Sequence, residues 1–386
     1  MTEHSLMNTL KFAPGRSFVS GDGNWLIDDK GGRALDFYCD TGTASLGYHS
    51  EHMREVLRRL LEERLPVHSP LVFRHSERDR AAERLTKATE MDRVFFCNSG
   101  SEAVEASVKV ARKTQFDRGC PERVNVYGWR NAFHGRTFGA LALGDGPAYH
   151  HKGFGPHPAG FKRFHVIEDI RPDAAAVCLA PVFGNYGLIV YPDQWIQDLR
   201  GYCDDNGILL IFDEVQSGSG RTGGITYGQR IGVLPDIVAL AKGVAMGASC
   251  GACLARGDAA EALTPGSHFS TFGGQPLAAA FLNGMLDYLL APGTIDDIND
   301  KGEFTRQQFR EKLPWAKNVR GVGLMNGFDI DIEKLAFANE CLKRDLLVGL
   351  FRPGPGPVKV TPPLTVTKDE IAWGVDVMAE SYRAVD

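Results

Sequence analysis

The sequence predicts an α/β protein whose main unit has a mostly parallel central sheet flanked by helices. From about residue 94 onward, short runs of consecutive apolar residues alternate with amphipathic segments. Strands that are buried on both faces have continuous apolar runs, and parallel neighbours need a helical crossover between them. A smaller α+β unit is expected from both chain ends, because a hairpin pattern precedes this region and a mixed helix and strand pattern follows it.

Six apolar runs mark the expected strands of the large sheet. They are residues 94–97 (VFFC), 124–127 (VNVY), 177–182 (VCLAPV), 208–212 (ILLIF), 237–240 (IVAL) and 251–255 (GACLA). Two amphipathic segments predict helices at 102–116 and 194–206. Near the N-terminus, residues 23–38 predict a hairpin that turns at the Lys-Gly-Gly sequence 30–32.

Length and composition fit a globular chain of about two domains. The chain has 386 residues, of which 43% are hydrophobic and 24% charged, and this balance excludes wholesale disorder. We expect an N-terminal segment at 1–49 that contributes to the small domain and the pocket entrance. A large α/β domain is expected at 50–270, and a C-terminal small domain at 271–386.

Charge and cysteine usage exclude several classes of partner. The net charge of −5 is the wrong sign for a protein that follows nucleic acid or an anionic membrane surface. No apolar run is long enough to span a bilayer, so a cytoplasmic protein with small-molecule partners is expected. The pair Cys250 and Cys253 has no partner motif for zinc and lies in a strand-like run, so we expect neither a metal site nor disulfides.

A turn at residues 98–102 is the first candidate for chemistry. It follows the expected strand 94–97 and opens the expected helix 102–116. A glycine-containing turn at a helix N-terminus offers free N–H groups and the positive end of the helix dipole, which suit a phosphate. Ser99 and Glu102 equally fit a capping box that only satisfies the helix, and both interpretations stay open at this point.

Two further candidates follow apolar strands. Asp213 and Glu214 come at the carboxyl end of strand 208–212, where ligands of open α/β sheets bind, although Asp213 also fits a plain helix cap. Lys242 follows strand 237–240, where desolvation lowers the pKa of an amine and makes it nucleophilic toward carbonyls. The other interpretation of Lys242 is a lysine that extends its ammonium group to water.

Residues 218–223 (GSGRTG) match the glycine pattern of dinucleotide-binding proteins. The match lies five residues past the strand rather than directly after it, and Asp236 follows the last glycine by 13 residues instead of about 20. We therefore expect a flexible loop here. A nucleotide-dependent dehydrogenase is kept as the alternative from another class of enzyme.

Taken together, seven sequence blocks resemble the class III, acetylornithine and ornithine aminotransferase-like, pyridoxal-phosphate enzymes of fold type I. In chain order they are FFCNSGSEAVEASVK, NAFHGRT, LLIFDEVQSGSGRTG, PDIVALAKG, STFGGQPLA, VRGVGLMNG and TPPLTVT. The blocks extend over nearly the whole chain. The resemblance implies the fold, the cofactor pyridoxal 5′-phosphate and an aminotransferase activity.

The resemblance also implies catalytic roles for two residues and a phosphate cradle. Lys242 would bind the cofactor aldehyde covalently and then move the proton between the substrate Cα and the cofactor C4′. Asp213 would pair with the pyridinium nitrogen and hold it protonated. Ser99, Gly100 and Ser101 would hold the phosphate.

The remaining cofactor contacts come from the same resemblance. Phe133 and Val215 would cover the two ring faces, Gln216 would approach the ring hydroxyl, and His134 would contact the cofactor. Thr271 would reach the phosphate of the neighbouring subunit, which implies a homodimer with two shared active sites.

The substrate residues differ from the family pattern at two places. The family block E-P-I-Q-G-E-x-G reads APVFGNYG at 180–187, with Asn185 at the second glutamate, and Lys359 replaces an arginine that binds the substrate α-carboxylate. Arg136 matches a second family arginine that contacts an α-carboxylate. A lysine gives a point charge rather than a two-pronged contact. Either Lys359 or Arg352 still holds a carboxylate, or the donor is not the usual glutamate.

The resulting hypothesis is an aminotransferase that works by a ping-pong mechanism. It would move an amino group between a terminal amine or ω-amino acid and a 2-oxo acid or aldehyde. An aminomutase or decarboxylase on the same scaffold is the nearest alternative. A non-catalytic protein with this fold is disfavoured, because Lys242, Asp213 and the phosphate turn are all present.

Overall fold

The computed structural model of the chain describes residues 16–184, 188–349 and 356–385. Its strands are β1 (Phe18–Asp22), β2 (Trp25–Asp28), β3 (Arg33–Asp36), β4 (Arg93–Cys97), β5 (Val126–Trp129), β6 (Phe161–Phe164), β7 (Ala176–Leu179), β8 (Val182–Phe183), β9 (Ile189–Val190), β10 (Leu209–Asp213), β11 (Ile237–Leu240), β12 (Gly251–Ala255), β13 (Lys317–Val322), β14 (Met325–Ile330), β15 (Leu346–Leu347) and β16 (Gly356–Val360).

The α-helices are α1 (Cys39–Gly42), α2 (Glu51–Glu62), α3 (Ser76–Thr89), α4 (Gly100–Asp117), α5 (Phe138–Leu143), α6 (Asp193–Asn206), α7 (Tyr227–Arg230), α8 (Pro276–Leu289), α9 (Thr294–Lys312), α10 (Lys334–Lys343) and α11 (Lys368–Arg383). Short 3₁₀ turns occur at Ala148–His150, Ile167–Asp169, Lys242–Ala245 and Gly257–Glu261. Among the described residues, none of the helices is long and apolar enough to cross a lipid bilayer.

The large sheet has seven strands in the order β4-β12-β11-β10-β7-β5-β6. Strand β12 runs antiparallel to both neighbours, and the other neighbouring pairs are parallel. The predicted mostly parallel sheet is therefore confirmed. All residues of β7, β10, β11 and β12 are buried, which explains their continuous apolar runs.

Two details of this sheet differ from the sequence prediction. The run 177–182 is divided, because β7 ends at Leu179 and β8 pairs with β9 in a separate two-stranded sheet. Strand β6 was not predicted, since it lies at the sheet edge and carries Lys162 and Arg163 between its two phenylalanines. An edge strand that is only partly buried does not need a continuous apolar run.

A second sheet, β1-β2-β3-β15, joins strands near the N-terminus to a strand from the C-terminal part of the chain. Strands β2 and β3 form the predicted hairpin, and Asp28 Oδ1 accepts hydrogen bonds from the turn amides of Lys30 (3.0 Å) and Gly32 (2.7 Å). Strand β15 then adds in parallel to β3, with Leu346 opposite Leu35. A third sheet, β13-β14-β16, is antiparallel and places Lys359 opposite Gly327.

The largest apolar core includes residues from Leu35 to Ala379 and so crosses both domain boundaries predicted from the sequence. A second core lies between α4 and the sheet, where Ala103, Ala106 and Ala111 are fully buried. Small side chains at these positions let the helix approach the strands closely. The boundaries near residues 50 and 270 stay predictions.

Candidate active site

A cavity of about 330 Å³ lies at the carboxyl ends of β10 and β11, against the N-terminus of α4. Parallel strands direct their carboxyl ends to one edge of the sheet, where ligands of such folds bind. Among the residues singled out from the sequence, those that line this cavity are Ser99, Gly100, Ser101, Phe133, His134, Asp213, Val215, Gln216 and Lys242. The structure therefore brings nine predicted residues together.

Asp213 is the last residue of β10 and is held from two sides. His134 Nδ1 lies 2.7 Å from Asp213 Oδ2, and both side chains are buried. The amide of Val215 donates to Asp213 Oδ1 at 3.2 Å. A buried carboxylate fixed in this way points in one direction and can pair with a protonated ring nitrogen.

Lys242 begins the 3₁₀ turn directly after β11 and has a left-handed backbone, with φ of 48°. A non-glycine residue pays a steric cost for this conformation, and such residues occur disproportionately at functional sites. Burial lowers the pKa of the Lys242 amine, while the negative charges of Asp213 and Asp40 oppose that shift. The result is an amine that can act as a nucleophile and a base.

The turn before α4 is both a helix cap and part of the cavity wall. Ser99 Oγ accepts a hydrogen bond from the amide of Glu102 at 3.3 Å, and Glu102 Oε2 accepts from the amide of Asn98 at 2.5 Å. Ser101 Oγ accepts from the amide of Arg136 at 3.1 Å, so its hydroxyl proton is available to a ligand. An 18-residue helix directs its N-terminal amides and dipole at this turn.

Close packing at Gly100 and Gly184 explains why glycines occupy these positions. A Cβ at residue 100 would lie 2.6 Å from Val215 Cγ1, and a Cβ at residue 184 would lie 2.3 Å from Gln216 Oε1. Val215 and Gln216 can therefore approach the cavity only because these two residues lack side chains. A phosphate at the helix end, an aldehyde near Lys242 and a ring nitrogen near Asp213 all fit this geometry, so the residues present suit pyridoxal phosphate.

Arg136 lies at the surface beside the cavity rather than in its wall. Its guanidinium is 5.2 Å from the centroid of the Phe133 ring, and Nη2 lies 3.0 Å from His150 Nε2. The residue is exposed, so its charge remains accessible to an anion that enters from solvent.

Lys359 is buried in β16 and does not line the cavity within the described part of the chain. Burial lowers the pKa of its amine well below the usual value, and the positive charges of Lys242 and Arg221 lower it further. Lys359 is therefore close enough to Lys242 for their charges to interact, although β16 and β11 belong to different sheets.

Two other predicted residues lie away from the cavity or outside the description. Thr271 is exposed on the chain surface, between Phe269 and Phe272, which expose 65% and 66% of their surface. Asn185 lies outside the described residues, as does Arg352.

The glycine-rich segment 218–223 is a loop, as predicted, but the expected flexibility is wrong. Residues 217–223 are all buried. Arg221 Nη1 donates to the carbonyls of Leu324 (3.1 Å) and Pro362 (2.5 Å), which ties the loop to the C-terminal part of the chain. These contacts leave it no freedom to wrap around a dinucleotide.

Cys250 and Cys253 lie in different surroundings. Cys253 is buried in β12, as the strand pattern predicted, whereas Cys250 precedes that strand and lines the cavity. Burial raises the pKa of each thiol to about 12, so neither is a reactive thiolate. In the part of the chain that the structure describes, no group of three or more potential metal-ligating side chains is found.

Sequence reasoning missed several residues of the cavity wall. They are Thr43, Asn98, Gly135, Ala180, Val182, Gly184, Ala241, Gly247, Ala248, Ser249 and Cys250. Asn98 lies inside a motif already considered, so adjacency was the available signal. Phe183, which replaces the glutamine of the family block and so indicated a more apolar pocket, also lines the cavity. Thr43 and residues 247–250 come from loops that carry no local motif.

Comparison with known proteins places the chain in a family. A model described as Aminotransferase class-III matches residues 13–381. An acetylornithine aminotransferase from Mesorhizobium japonicum is 39% identical over 385 residues, which cover 96% of this chain and 94% of that protein. An acetylornithine aminotransferase from Agrobacterium fabrum is 36% identical, with 98% and 97% of the two chains covered.

Solved structures agree with this assignment. An ornithine aminotransferase from Toxoplasma gondii has a TM-score of 0.90 at 26% identity, covering 99% of this chain and 93% of that one. An amine transaminase from an uncultivated Pseudomonas species, in its pyridoxal-phosphate-bound form, has a TM-score of 0.90 at 27% identity and covers 100% and 99%. The comparisons give no support to the dehydrogenase, aminomutase or decarboxylase alternatives. The chain thus belongs to the class-III aminotransferases, which are pyridoxal-phosphate-dependent enzymes of fold type I.

Proposed function

We propose that this enzyme moves an amino group, in two separate half-reactions, between a terminal amine or ω-amino acid and a 2-oxo acid or aldehyde. The observation that carries the proposal is that Lys242, Asp213 and the N-terminus of α4 border one cavity. Relatives named for acetylornithine, ornithine and amines support this substrate class. Pyridoxal phosphate, when bound, supplies an aldehyde for the amine and a ring that delocalises electrons from the adjacent carbon.

Each polar residue of the cavity has a defined task in this proposal. Lys242 provides the amine that would remove a proton from the substrate carbon bearing the reacting amino group and deliver it to the cofactor carbon C4′, which its lowered pKa favours. Asp213 holds the ring nitrogen protonated, and His134 fixes the direction of that carboxylate. Ser99, Gly100 and Ser101 bind the phosphate through amides and hydroxyls at the start of α4.

The ring would be held by groups on three sides. Phe133 and Val215 cover its two faces, and the Gln216 amide approaches its hydroxyl group. This assignment is supported by the position of all three residues in the cavity wall beside Asp213.

We propose that Arg136 binds a substrate carboxylate and that Lys359 replaces the arginine of relatives without reproducing its function fully. Burial and the nearby charges of Lys242 and Arg221 hold the pKa of the Lys359 amine well below that of an exposed lysine, which makes its charged form less favourable. A carboxylate gains less from a neutral amine than from a guanidinium. An amino donor other than glutamate follows from this difference, with Asn185 as the second altered position.

We also propose a homodimer with shared active sites and a cytoplasmic location. Exposed Phe269 and Phe272 flank Thr271, and exposed apolar side chains on an otherwise polar surface favour burial against another chain. In such a dimer Thr271 would contact the phosphate in the partner's site.

The test is an absorbance titration of the purified enzyme with pyridoxal phosphate and then with single amines. L-glutamate, L-alanine, L-ornithine and 1,5-diaminopentane are added separately, and loss of the cofactor band reports the first half-reaction. We expect the terminal amines to remove the band faster than L-glutamate does. Absence of any cofactor band, or no response to any amine, would contradict the proposal.

A further inference from the structure

Arg136 is held at the rim of the cavity through its backbone and its side chain. Its amide donates to Ser101 Oγ at 3.1 Å, and Ser101 lines the cavity. Gly135, the preceding residue, also lines the cavity. The guanidinium lies 5.2 Å from the centroid of the Phe133 ring, and Phe133 belongs to the cavity wall. The charge of Arg136 therefore lies next to the cavity although the residue is exposed.

The chain that follows Arg136 is attached to α4. Glu105 Oε1 accepts hydrogen bonds from the hydroxyl of Thr137 at 2.6 Å and from the amides of Gly139 (2.8 Å) and Ala140 (3.1 Å). Helix α5 has no capping hydrogen bond from its own N-cap side chain, so Glu105 satisfies the free amides of its first turn. The backbone on both sides of Arg136 is thus fixed relative to the helix that begins at the phosphate turn.

His150 provides a hydrogen-bond acceptor for the guanidinium. Its Nε2 lies 3.0 Å from Arg136 Nη2. Because arginine has only donors, Nε2 accepts this bond, and the ring is then neutral with its proton on Nδ1. Among the described residues no carboxylate forms an ion pair with Arg136, so the other N–H groups of the guanidinium are available to a ligand.

The His150 ring is itself held in one orientation. It lies in the 3₁₀ turn Ala148–His150 and is 8% exposed. The Tyr149 ring meets it edge-on, with centroids 4.6 Å apart, and the Phe133 ring lies 6.3 Å away at an angle of 76°. Aromatic neighbours in this arrangement stabilise a ring beyond the area that they bury. The acceptor atom therefore has a defined position beside the cavity wall.

We propose that His150 is a positioning residue that holds the Arg136 guanidinium at the cavity rim, where it meets the carboxylate of the amino substrate. This inference rests on the proposed function and deepens it, since Arg136 is the residue proposed to bind that carboxylate. An exposed arginine without such a partner samples many rotamers, and its ordering on binding weakens affinity. With His150 in place, the guanidinium is ordered before the substrate arrives.

A positioning role predicts a selective effect on substrates. Because His150 acts through Arg136, its loss should weaken the binding of amines that carry a carboxylate more than the binding of amines that carry none. The contact lies away from the proton transfer at Lys242, so KM should change more than kcat.

The experiment uses the holoenzyme and two pairs of amines that differ only in a carboxylate. The pairs are L-ornithine with 1,4-diaminobutane, and Nα-acetyl-L-ornithine with N-acetyl-1,4-diaminobutane. His150→Phe keeps an aromatic ring and removes the acceptor, whereas His150→Gln places an amide oxygen near the position of Nε2. His165→Phe, at an exposed histidine directly after β6, is the matched control.

For His150→Phe we expect the KM of the carboxylate-bearing amine to rise by roughly 3- to 10-fold relative to that of its partner amine, which is the cost of ordering one long side chain. The change in kcat should be smaller. His150→Gln should recover most of the loss, and His165→Phe should behave as wild type. In an Arg136→Gln background, His150→Phe should have no further effect, because the group through which it acts is absent.

Equal losses for both members of a pair would overturn the inference, because they would indicate a general structural role. An unchanged KM ratio in His150→Phe would overturn it too, as would a loss of the same size in the Arg136→Gln background. If His150→Phe shows no cofactor band, His150→Leu replaces it, and failure of both variants to bind cofactor would reject a positioning role. The proposed function fails separately, if no amine removes the cofactor band of the wild type.

Discussion

His134 Nδ1 lies 2.7 Å from Asp213 Oδ2, in a buried pair that forms part of the cavity wall. His134 comes from the loop after β5 and Asp213 from the end of β10, so the contact joins two segments that are 79 residues apart. His134 Nε2 has no hydrogen-bond partner among the described residues, and the polar contacts of the ring are at Nδ1, with Asp213 and, at 3.9 Å, the Cys178 thiol. The contact therefore holds the Asp213 carboxylate in one orientation in the folded chain.

Removing the Asp213 charge is expected to harm catalysis more than removing its histidine partner. Asp213→Asn should reduce kcat by about 100-fold or more, since an amide does not stabilise a protonated ring nitrogen. His134→Leu should weaken cofactor binding by roughly 10- to 100-fold, because the carboxylate loses a buried donor worth about 1–3 kcal/mol. Turnover and cofactor titration measure the two effects. A larger loss of kcat in His134→Leu than in Asp213→Asn would contradict this ranking.

Lys242→Ala should retain cofactor and lose turnover. The phosphate turn and Asp213 remain, so pyridoxal phosphate still binds, without the covalent link. Loss of the proton-transferring amine should lower kcat by about 10³-fold or more. Absorbance shows whether cofactor is bound, and a coupled assay of product measures turnover. Full activity in this variant would overturn the proposed mechanism.

Gly100→Ala should weaken cofactor binding, because the added Cβ would lie 2.6 Å from Val215 Cγ1. Overpacking of this kind costs about 1–3 kcal/mol, which corresponds to a Kd roughly 10- to 100-fold higher. Gly201→Ala is the matched control, since this exposed helical glycine has open space around its Cα and should keep wild-type affinity. Titration of apoenzyme with pyridoxal phosphate gives both constants, and equal affinities for the two variants would refute the packing argument.

Lys359→Arg should improve the use of L-glutamate as amino donor by about tenfold in kcat/KM, because a guanidinium stays charged and binds a carboxylate in two places. The rate with a terminal amine that has no carboxylate should not change. Single-turnover rates with L-glutamate and 1,5-diaminopentane test this. No improvement with L-glutamate would mean that Lys359 lies off the donor site.

Glu214 predicts a pH dependence of stability. Burial raises its pKa to about 7, despite hydrogen bonds from the amides of Tyr227 (2.6 Å) and Gly228 (3.1 Å) and from the hydroxyl of Ser217 (3.2 Å). Between the unfolded value near 4.5 and about 7, the folded state binds more protons than the unfolded state. Stability therefore falls as pH rises through this window and stays lower above it.

The size of this effect is roughly 3 kcal/mol, from a shift of about 2.5 units at 1.36 kcal/mol per unit. Urea unfolding at pH 5, 6, 7 and 8 gives the free energy of unfolding at each pH. This free energy should fall more steeply with rising pH for the wild type than for Glu214→Gln. The exposed Glu122→Gln variant should follow the wild type. Parallel curves for wild type and Glu214→Gln would exclude Glu214 as the titrating group.

The sequence by itself determined the large sheet and most of the cavity. The strands β10, β11 and β12 are buried on both faces, so their apolar runs are continuous and can be recognised in the sequence alone. Asp213 and Lys242 directly follow such strands, and the turn before α4 has a local capping pattern. Their meeting at one edge of the sheet follows from parallel topology, which explains why the central residues of the site were predictable.

Only the tertiary structure decided what surrounds that centre. Leu346 pairs with Leu35 across 311 positions, and no local pattern encodes a contact between residues so distant in sequence. Folding also brings the buried Lys359 near Lys242, although 117 positions separate them, and it packs the backbone of Gly42 against Gly243. The burial and the pKa of these side chains depend on neighbours from distant segments of the chain. They could therefore be determined only from the tertiary structure.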